Sequence, residues 1–400
     1  MPDRPTVVIS GGSIAGAAAA FWFSRLGWQV VVLERAAGFR TGGQNIDVRG
    51  TARKVLAEMG LEQAVREHTT TEVGTRFVDE QGATVAEFPV TADGDGPTAE
   101  LEILRGDLAE VIAARLPDDV RWVFGTAIGA LTQDDEGVEV TLDDGRRLRC
   151  DLLVVAEGVR SGTRDLILAD AVRPDELGMY MVYGTIPRTE DDDRWWRWLT
   201  IPGSRQATLR PDNKGTIRAT LAFLSAPAGY ETRPREGLVD GLRDVFAGVG
   251  WEVPRILEGF GASDDVYVDY LTQIDLGRYS DGRVVVLGDA AWSVTPLGGG
   301  GASLALVGAY VLAASVSQRG VATGDIRQAL TAYEEWMRPL VEEVQDLPPG
   351  IPRVALPKSE LGVALQRRLT SLAGTRPLRK LATAFTSGPE AERPLPDLRR

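Results

Sequence analysis

Six residues near the start of the chain, Gly11-Gly12-Ser13-Ile14-Ala15-Gly16, have the types and order of a pyrophosphate cradle. Such a cradle needs a tight turn after a strand, close backbone approach to the phosphates, and close packing of the helix that follows. Gly11 and Gly16 suit the first and third roles, and Ser13 brings a small side chain to the second glycine position. Ile14 and Ala15 lie in the turn, and the start of the helix that follows would present unpaired N–H groups to the anion. Glu34, with Arg35 beside it, closes the next β-branched run, where a carboxylate can accept hydrogen bonds from a ribose. Far downstream, Gly288-Asp289-Ala290-Ala291 follows an apolar run, and Pro296 precedes Gly298-Gly299-Gly300-Gly301 at the opening of an apolar helix.

The side chains themselves offer little chemistry. The one cysteine, Cys150, excludes an intramolecular disulfide and a cysteine-cluster metal site. The one histidine, His68, excludes a poly-histidine metal centre, and no nucleophile-elbow motif supports a Ser-His-Asp triad built on it. His68 sits in the polar stretch Arg66-Glu67-His68-Thr69 and reads as a solvated surface residue. No metal and no catalytic side chain are expected, so the chemistry is expected to come from a cofactor.

The elements around these residues form a recognisable order. Thr6–Ser10 reads as a buried strand, Ala17–Leu26 as an alanine-rich helix ended by Gly27, and Gln29–Leu33 as a second strand. Residues 49–67 and Asp107–Leu116 read as helices, and Val73–Asp79 and Thr84–Phe88 as strands around Gln81-Gly82. Short strands separated by turns follow between Val120 and Cys150, and Leu152–Ala156 is again of the buried type. From about 175 to 275 strands at 179–186, 205–210, 215–224 and 266–274, with a helix at 234–248, suggest an inserted sheet domain. Arg283–Leu287 returns to the buried-strand type, with helices at 300–317 and 323–345 and amphipathic helices within 357–386. The expected division is 1–174 and 276–345 for a cofactor-binding domain, 175–275 for a substrate-binding sheet domain, and 346–400 for a C-terminal helical segment.

At 400 residues, 44% apolar and 25% charged, the chain has the composition of an ordinary globular protein. Its net charge of −13 argues against a nucleic-acid or anionic-membrane partner. No secretory signal pattern opens the chain and no uninterrupted apolar run reaches membrane-spanning length, so a cytoplasmic protein is expected.

With Gly11–Gly16 followed by Gly288-Asp289, Pro296 and Gly299-Gly300-Gly301, the chain resembles the class A flavoprotein monooxygenases, the aromatic hydroxylases and tetracycline-inactivating enzymes. The resemblance runs from residue 5 to about 345 and is thin over 175–275. It implies an α/β fold: a Rossmann-like FAD-binding domain of the aromatic-hydroxylase type, an inserted β-sheet substrate domain and a C-terminal helix. It implies FAD as cofactor, with Asp289 at the ribityl chain and Gly299, Gly300, Gly301 and Ala302 beneath the flavin pyrimidine. Arg40, Gly43 and Asp47 match family positions serving NADPH, the flavin-side backbone and FAD, and Arg105 matches an arginine that contacts FAD. Glu157-Gly158 with Arg160 and Arg164 is similar to the family's middle motif, with Glu157 where the family has Asp.

The activity so implied is hydroxylation of an aromatic or polyketide-like small molecule, of the kind secondary metabolism makes. NADPH or NADH and O₂ would be consumed through a flavin C4a-hydroperoxide, in a monomer or weak homodimer. The alternative open at this point is a structural flavin shaping a pocket for a non-redox cyclisation. Trp292 stands where the family commonly has His, and Ser303 where it often has Asn; Trp292 is expected to form an apolar wall for the substrate. Trp195-Trp196-Arg197-Trp198 with Ile201-Pro202 resembles a flavin-halogenase element with one residue too many. Trp196 and Trp198 are therefore expected at the substrate cavity of the sheet domain.

Overall fold

The computed structural model describes residues 4–39, 43–70, 72–90, 101–320, 323–374 and 393–398. The chain opens with β1 (Thr6–Ser10), α1 (Ile14–Arg25) and β2 (Gln29–Glu34). It continues through β3 (Asn45–Asp47), α2 (Thr51–Met59), α3 (Glu62–Glu67), β4 (Gly74–Val78), β5 (Thr84–Pro89), β6 (Glu102–Leu104) and α4 (Arg105–Ala113). Then come β7 (Arg121–Phe124), β8 (Ile128–Gln133), β9 (Val138–Leu142), β10 (Arg147–Cys150), β11 (Leu152–Val155) and α5 (Gly162–Leu168).

A run of long strands follows: β12 (Val172–Pro187), β13 (Trp195–Ile201), β14 (Arg205–Pro211) and β15 (Thr216–Leu224). After these come α6 (Arg235–Val245), α7 (Val253–Ala262), β16 (Tyr267–Leu276), β17 (Ser280–Asp281) and β18 (Val284–Val286). The described chain ends in helices: α8 (Asp289–Trp292), α9 (Thr295–Gly298), α10 (Gly301–Arg319), α11 (Thr323–Gln345), α12 (Ile351–Ala355) and α13 (Glu360–Ala373).

The first sheet has the order β17-β18-β11-β1-β2-β7, parallel throughout except at its β17 edge. Its central strands read as unbroken apolar runs because both faces are covered. Val7 and Ile9 pack under α1 and α10, whereas Val8, Leu153 and Val155 pack against the small sheet β10-β9-β8. Helix α10 is long and apolar enough to cross a membrane, but most of that stretch is buried between α1 and α11. Its composition is that of a core helix wrapped by other elements.

The second sheet has the order β16-β12-β15-β14-β13-β4-β5 and is antiparallel except where β13 meets β4. Period-two alternation divides it into two faces. Tyr180, Val182, Ile186, Leu199, Leu209, Leu221 and Phe223 point to one face and are buried under α6 and α7. On the other face a single row runs in register across seven strands: Tyr267, Tyr183, Thr220, Thr208, Trp198, Phe77 and Ala86. Helix α12 covers part of this second face, with Leu356 against Met179, Ala222 and Leu271. Helix α13 is pinned beside it by Arg367, which donates to both Glu80 oxygens at 2.7 and 2.8 Å.

Four features differ from the expectations. The second sheet draws β4 and β5 from residues 74–89, which the contiguous division placed in the cofactor domain. The Trp195–Ile201 segment is a central strand, and Val253–Ala262 is a helix whose Pro254 sits at its permissive first turn. Trp292 forms no wall. It is wholly buried in the core, with Tyr279 5.2 Å and Tyr333 6.2 Å away between ring centroids. An indole at the end of the short α8 helix fills the space above Gly308, whose added Cβ would lie 3.0 Å from the ring. Trp292→Ala is therefore expected to lower unfolding free energy by about 3–5 kcal/mol, the cost of emptying a large aromatic site. The shift of the urea midpoint checks this; a wall residue would leave the midpoint nearly unmoved.

Candidate functional site

The turn between β1 and α1 is held so tightly that its glycines are obligatory. Gly11 adopts φ +103°, and a Cβ there would run into the carbonyl of Ala156 at the end of β11. A Cβ at Gly16 would run into the carbonyl of Gly11. Ser13 is the N-cap of α1 but makes no side-chain cap bond, and the first turn holds no acid. The N–H groups at this helix start are thus available to an anion, assisted by the positive end of the helix dipole. Ile14 and Ala15 are buried in that first turn.

Glu34 reaches back from β2 to the same turn. One carboxylate oxygen accepts the Gly12 N–H at 2.8 Å and the other accepts the Ala36 N–H at 2.9 Å. Each oxygen has a second lone pair, so the group can hold the turn and still accept from a ribose. Arg35 beside it is exposed.

The second motif meets the first. Gly288 adopts φ +68°, and a Cβ there would lie 2.8 Å from the Ala15 Cβ, so the turn before α8 rests directly on the start of α1. Asp289 follows as the first residue of α8; burial pushes its carboxyl above the usual range and Arg105 opposes that rise. Arg105 starts α4, and its N–H bonds to the Gln44 carbonyl at 3.0 Å. Gly43 lies across from Arg105, its Cβ position 3.6 Å from the Arg105 Cβ. Asp47 pairs with Arg49 at 3.1 Å. Ser303 bridges this loop to α10, accepting the Arg49 N–H at 3.3 Å and donating to the Asp47 carbonyl at 3.4 Å.

Pro296 stands in the first turn of α9, and Gly299 and Gly300 both adopt positive φ before α10 begins at Gly301. The Gly301 Cβ position is 3.6 Å from an Asp289 oxygen, which brings the uncapped α10 start beside that acid; Ala302 is half-buried in its first turn. Gly299 has no other residue within reach of its Cβ position, so it borders open space. Two uncapped helix starts, a recessed acid opposite an arginine and a backbone-tied glutamate thus converge on one cleft. This donor and acceptor set fits a dinucleotide carrying a polyol chain. Arg40 lies outside the described residues.

Glu157 has a different occupation. Its carboxylate accepts from the Ser10 hydroxyl, the Ser161 hydroxyl at 2.7 Å, and the Thr163 N–H and hydroxyl at 3.1 and 2.6 Å. These bonds tie β1 to the start of α5. Arg164 is buried and donates to the carbonyls of Val159 and Ala290, joining the middle segment to α8.

Trp196 and Trp198 lie on the α12-covered face of the second sheet, 4.6 Å apart between ring centroids at 60°. The Arg210 guanidinium sits 3.7 Å over the Trp196 ring, and Phe77 is 5.8 Å from Trp198. Both indole N–H groups are buried without a hydrogen-bond partner. The same face carries residues that the sequence reading passed over, Tyr183, Tyr267 and Asp269. Arg105 and Asp289 lie near enough to act on both Tyr267 and Asp269, so the β16 edge of this face adjoins them. Their only signal in the sequence is alternation along β12 and β16, which cannot say which face meets the cleft.

An FAD binding domain model matches residues 4–347 of the chain. The chain belongs to the FAD-dependent monooxygenases. It is 36% identical to the flavin-dependent monooxygenase eupH of Phoma sp, over 92% of this chain and 91% of that one. It is 33% identical to the FAD-dependent monooxygenase asL4 of Sarocladium schorii, over 90% of each. Its structure is similar to that of the tetracycline destructase Tet(55), with a TM-score of 0.82 and 27% identity over 99% of this chain and 100% of that one. The α/β aromatic-hydroxylase fold and FAD as cofactor are thereby established for this monooxygenase.

Asp289→Ala removes an acceptor facing the cleft. It is expected to weaken FAD binding by about 10- to 100-fold, the range for losing a charge-assisted hydrogen bond. Quenching of free FAD fluorescence on titration with apoprotein measures it; unchanged affinity would remove Asp289 from the FAD site.

Proposed function

We propose that this monooxygenase uses NADPH or NADH and O₂ to hydroxylate an aromatic or polyketide-like small molecule. The observation that carries this reading is the aromatic row on the second sheet, whose Tyr267 end adjoins Asp289 and Arg105 while Trp198 and Phe77 lie against α13. Flat aromatic faces suit a flat, apolar ligand. Relatives named as flavin-dependent monooxygenases and a structural neighbour named for tetracycline agree with such a ligand.

FAD bound in the cleft supplies hydride acceptance and oxygen activation. The chain supplies the rest. The α1 start takes the pyrophosphate and Glu34 the adenosine ribose, while Asp289 takes the ribityl hydroxyls. The uncapped start of α10 would favour negative charge on a flavin held there. The second sheet seats the substrate, and α12 and α13 close its face against water, so that transfer to substrate competes with loss to solvent.

The test follows flavin bleaching by NADPH without oxygen, with and without a panel of phenolic and polycyclic compounds that includes tetracycline. Faster bleaching with one compound, and a product heavier by one oxygen once air is admitted, is the expected result. A yellow protein that never bleaches would overturn the reading in favour of a structural flavin. Trp198→Ala is expected to raise the KM of any accepted compound by about 10-fold, as loss of one stacked aromatic contact does, leaving bleaching by NADPH alone unchanged.

A further inference from the structure

Helix α13 is mounted the opposite way round from an ordinary surface helix, which buries its apolar stripe and turns its polar side to water. Val363 is the one buried residue of α13. The rest of its inner side is polar: Gln366, Arg367 and Thr370 line the narrow space over Phe77, Val78 and Trp198 of the second sheet. Arg367 donates there to the Thr200 carbonyl at 3.2 Å, and Gln366 donates to the Ala355 carbonyl of α12 at 3.2 Å. Hydrogen bonds and one ion pair, rather than apolar burial, seat this helix.

Its leucines face the other way. Leu361, Leu365, Leu369 and Leu372 recur at intervals of four, four and three, which sets them on one side of the helix. They are 84%, 59%, 59% and 56% exposed. Beyond Glu360, the one exposed charge of the helix is Arg368, which flanks the stripe together with Ala364. Single exposed leucines are ordinary on a protein surface, but a continuous stripe of roughly 450 Å² is of the size that marks an interaction site.

We propose that this stripe docks a second copy of the chain, α13 against α13, as an antiparallel pair about a two-fold axis. A two-fold interface presents the same patch from both sides, so the patch must match its own reversed order. The leucine stripe does. Reversed, it sets Leu365 against the partner's Leu369 and Leu361 against the partner's Leu372, so leucine meets leucine along its length. The area also suffices: two stripes with their Ala364 and Arg368 flanks would remove about 1,000 Å² from water, the least that a specific interface needs. The centre of the contact holds no charge, and Arg368 lies at the rim, where its guanidinium stays solvated. A net charge of −13 opposes an anionic lipid surface as the occupant. The pair gives α13 the apolar cover that its inner side lacks, and each helix is then held between its own second sheet and the partner. An interface of this size belongs to the weak class, so monomer and dimer exchange in the micromolar range.

Sedimentation velocity of the full-length, FAD-loaded protein tests this, from low micromolar to several hundred micromolar chain. The wild-type protein is expected to sediment faster as concentration rises, approaching the dimer. The double variant Leu365→Lys, Leu369→Lys is expected to stay monomeric throughout with an unchanged flavin band, since both side chains are exposed and the inner side of α13 is untouched. Leu166→Lys, at an equally exposed leucine on α5, is expected to keep the rise. The register is read by cysteine pairs under diamide: an equimolar mixture of Leu365→Cys and Leu369→Cys proteins should link, and one of Leu361→Cys and Leu365→Cys should not. A wild-type protein that is monomeric at every concentration would overturn the proposal and leave the stripe to residues 375–392 of the same chain. Binding of such a monomer to phosphatidylcholine vesicles would overturn it in favour of a lipid surface. A dimer that survives the double lysine change, or disulfide formation without preference between the two mixtures, would equally remove α13 as the interface.

Discussion

The contact between the turn at Gly288 and the first turn of α1 sets where every other part of the cleft can be. Neither turn tolerates a side chain: Gly11 is blocked by Ala156, Gly16 by Gly11, and Gly288 by Ala15. Backbone therefore meets backbone at the first two places and the small Ala15 side chain at the third, linking β1, β11 and β18 at their carboxyl ends, the edge at which parallel sheets bind ligands. Since α8 starts at Asp289, just after Gly288, and α10 only a dozen residues later, the same contact also orients Asp289 and the Gly299-Gly300 loop. The glycines act by what they lack, and the helix starts they expose do the binding.

A second constraint joins the cleft to the substrate sheet. Arg210 on β14 is buried, with Glu72 at 2.6 Å and Glu102 at 2.5 Å, and Glu102 also accepts from Asn45 and Thr70. Burial holds the Glu102 carboxyl up despite Arg210 at its side. In a buried site such a charge cluster depends on the hydrogen bonds that satisfy its members, which are dense here. Its geometry links β14 to β6, the strand leading into Arg105, while Lys214 pairs with Asp107 of α4 at 3.0 Å. The aromatic row and the α4 start are thereby set in one frame, with Trp196 roofed by the same arginine.

What could be read from the sequence follows from how local each cause is. The β1-α1-β2 unit, the Gly288-Asp289 turn and the helices α10 and α11 are written in short runs of glycine, β-branched and alanine-rich sequence, and they lie where those runs place them. The second sheet is assembled from strands far apart in the chain. That β4 and β5 join it through a parallel contact with β13 depends on pairing, which no local pattern encodes. Trp195–Ile201 was masked by its own aromatics: a tryptophan cluster draws the eye as a motif, while its alternation of Leu199 and Ile201 against Trp196 and Trp198 is that of a strand with two unlike faces. Trp292 shows the opposite error. A large aromatic next to a cofactor motif suggests a ligand wall, yet its side chain leaves the short α8 helix on the core side.

The two glutamates placed near the cofactor by the sequence divide along the same physical line. Glu34 spends one lone pair of each oxygen on a backbone N–H, and the remaining pairs are free to meet a ribose. Glu157 receives four donors from Ser10, Ser161 and Thr163, which fills its capacity. The additional methylene relative to an aspartate lets it span from β11 to both β1 and α5, and so the substitution converts a position near the cofactor into a brace for the strand that carries the cradle. An acid's role in this cleft is therefore decided by how many of its acceptor sites the backbone and hydroxyls leave open, more than by its distance from the ligand.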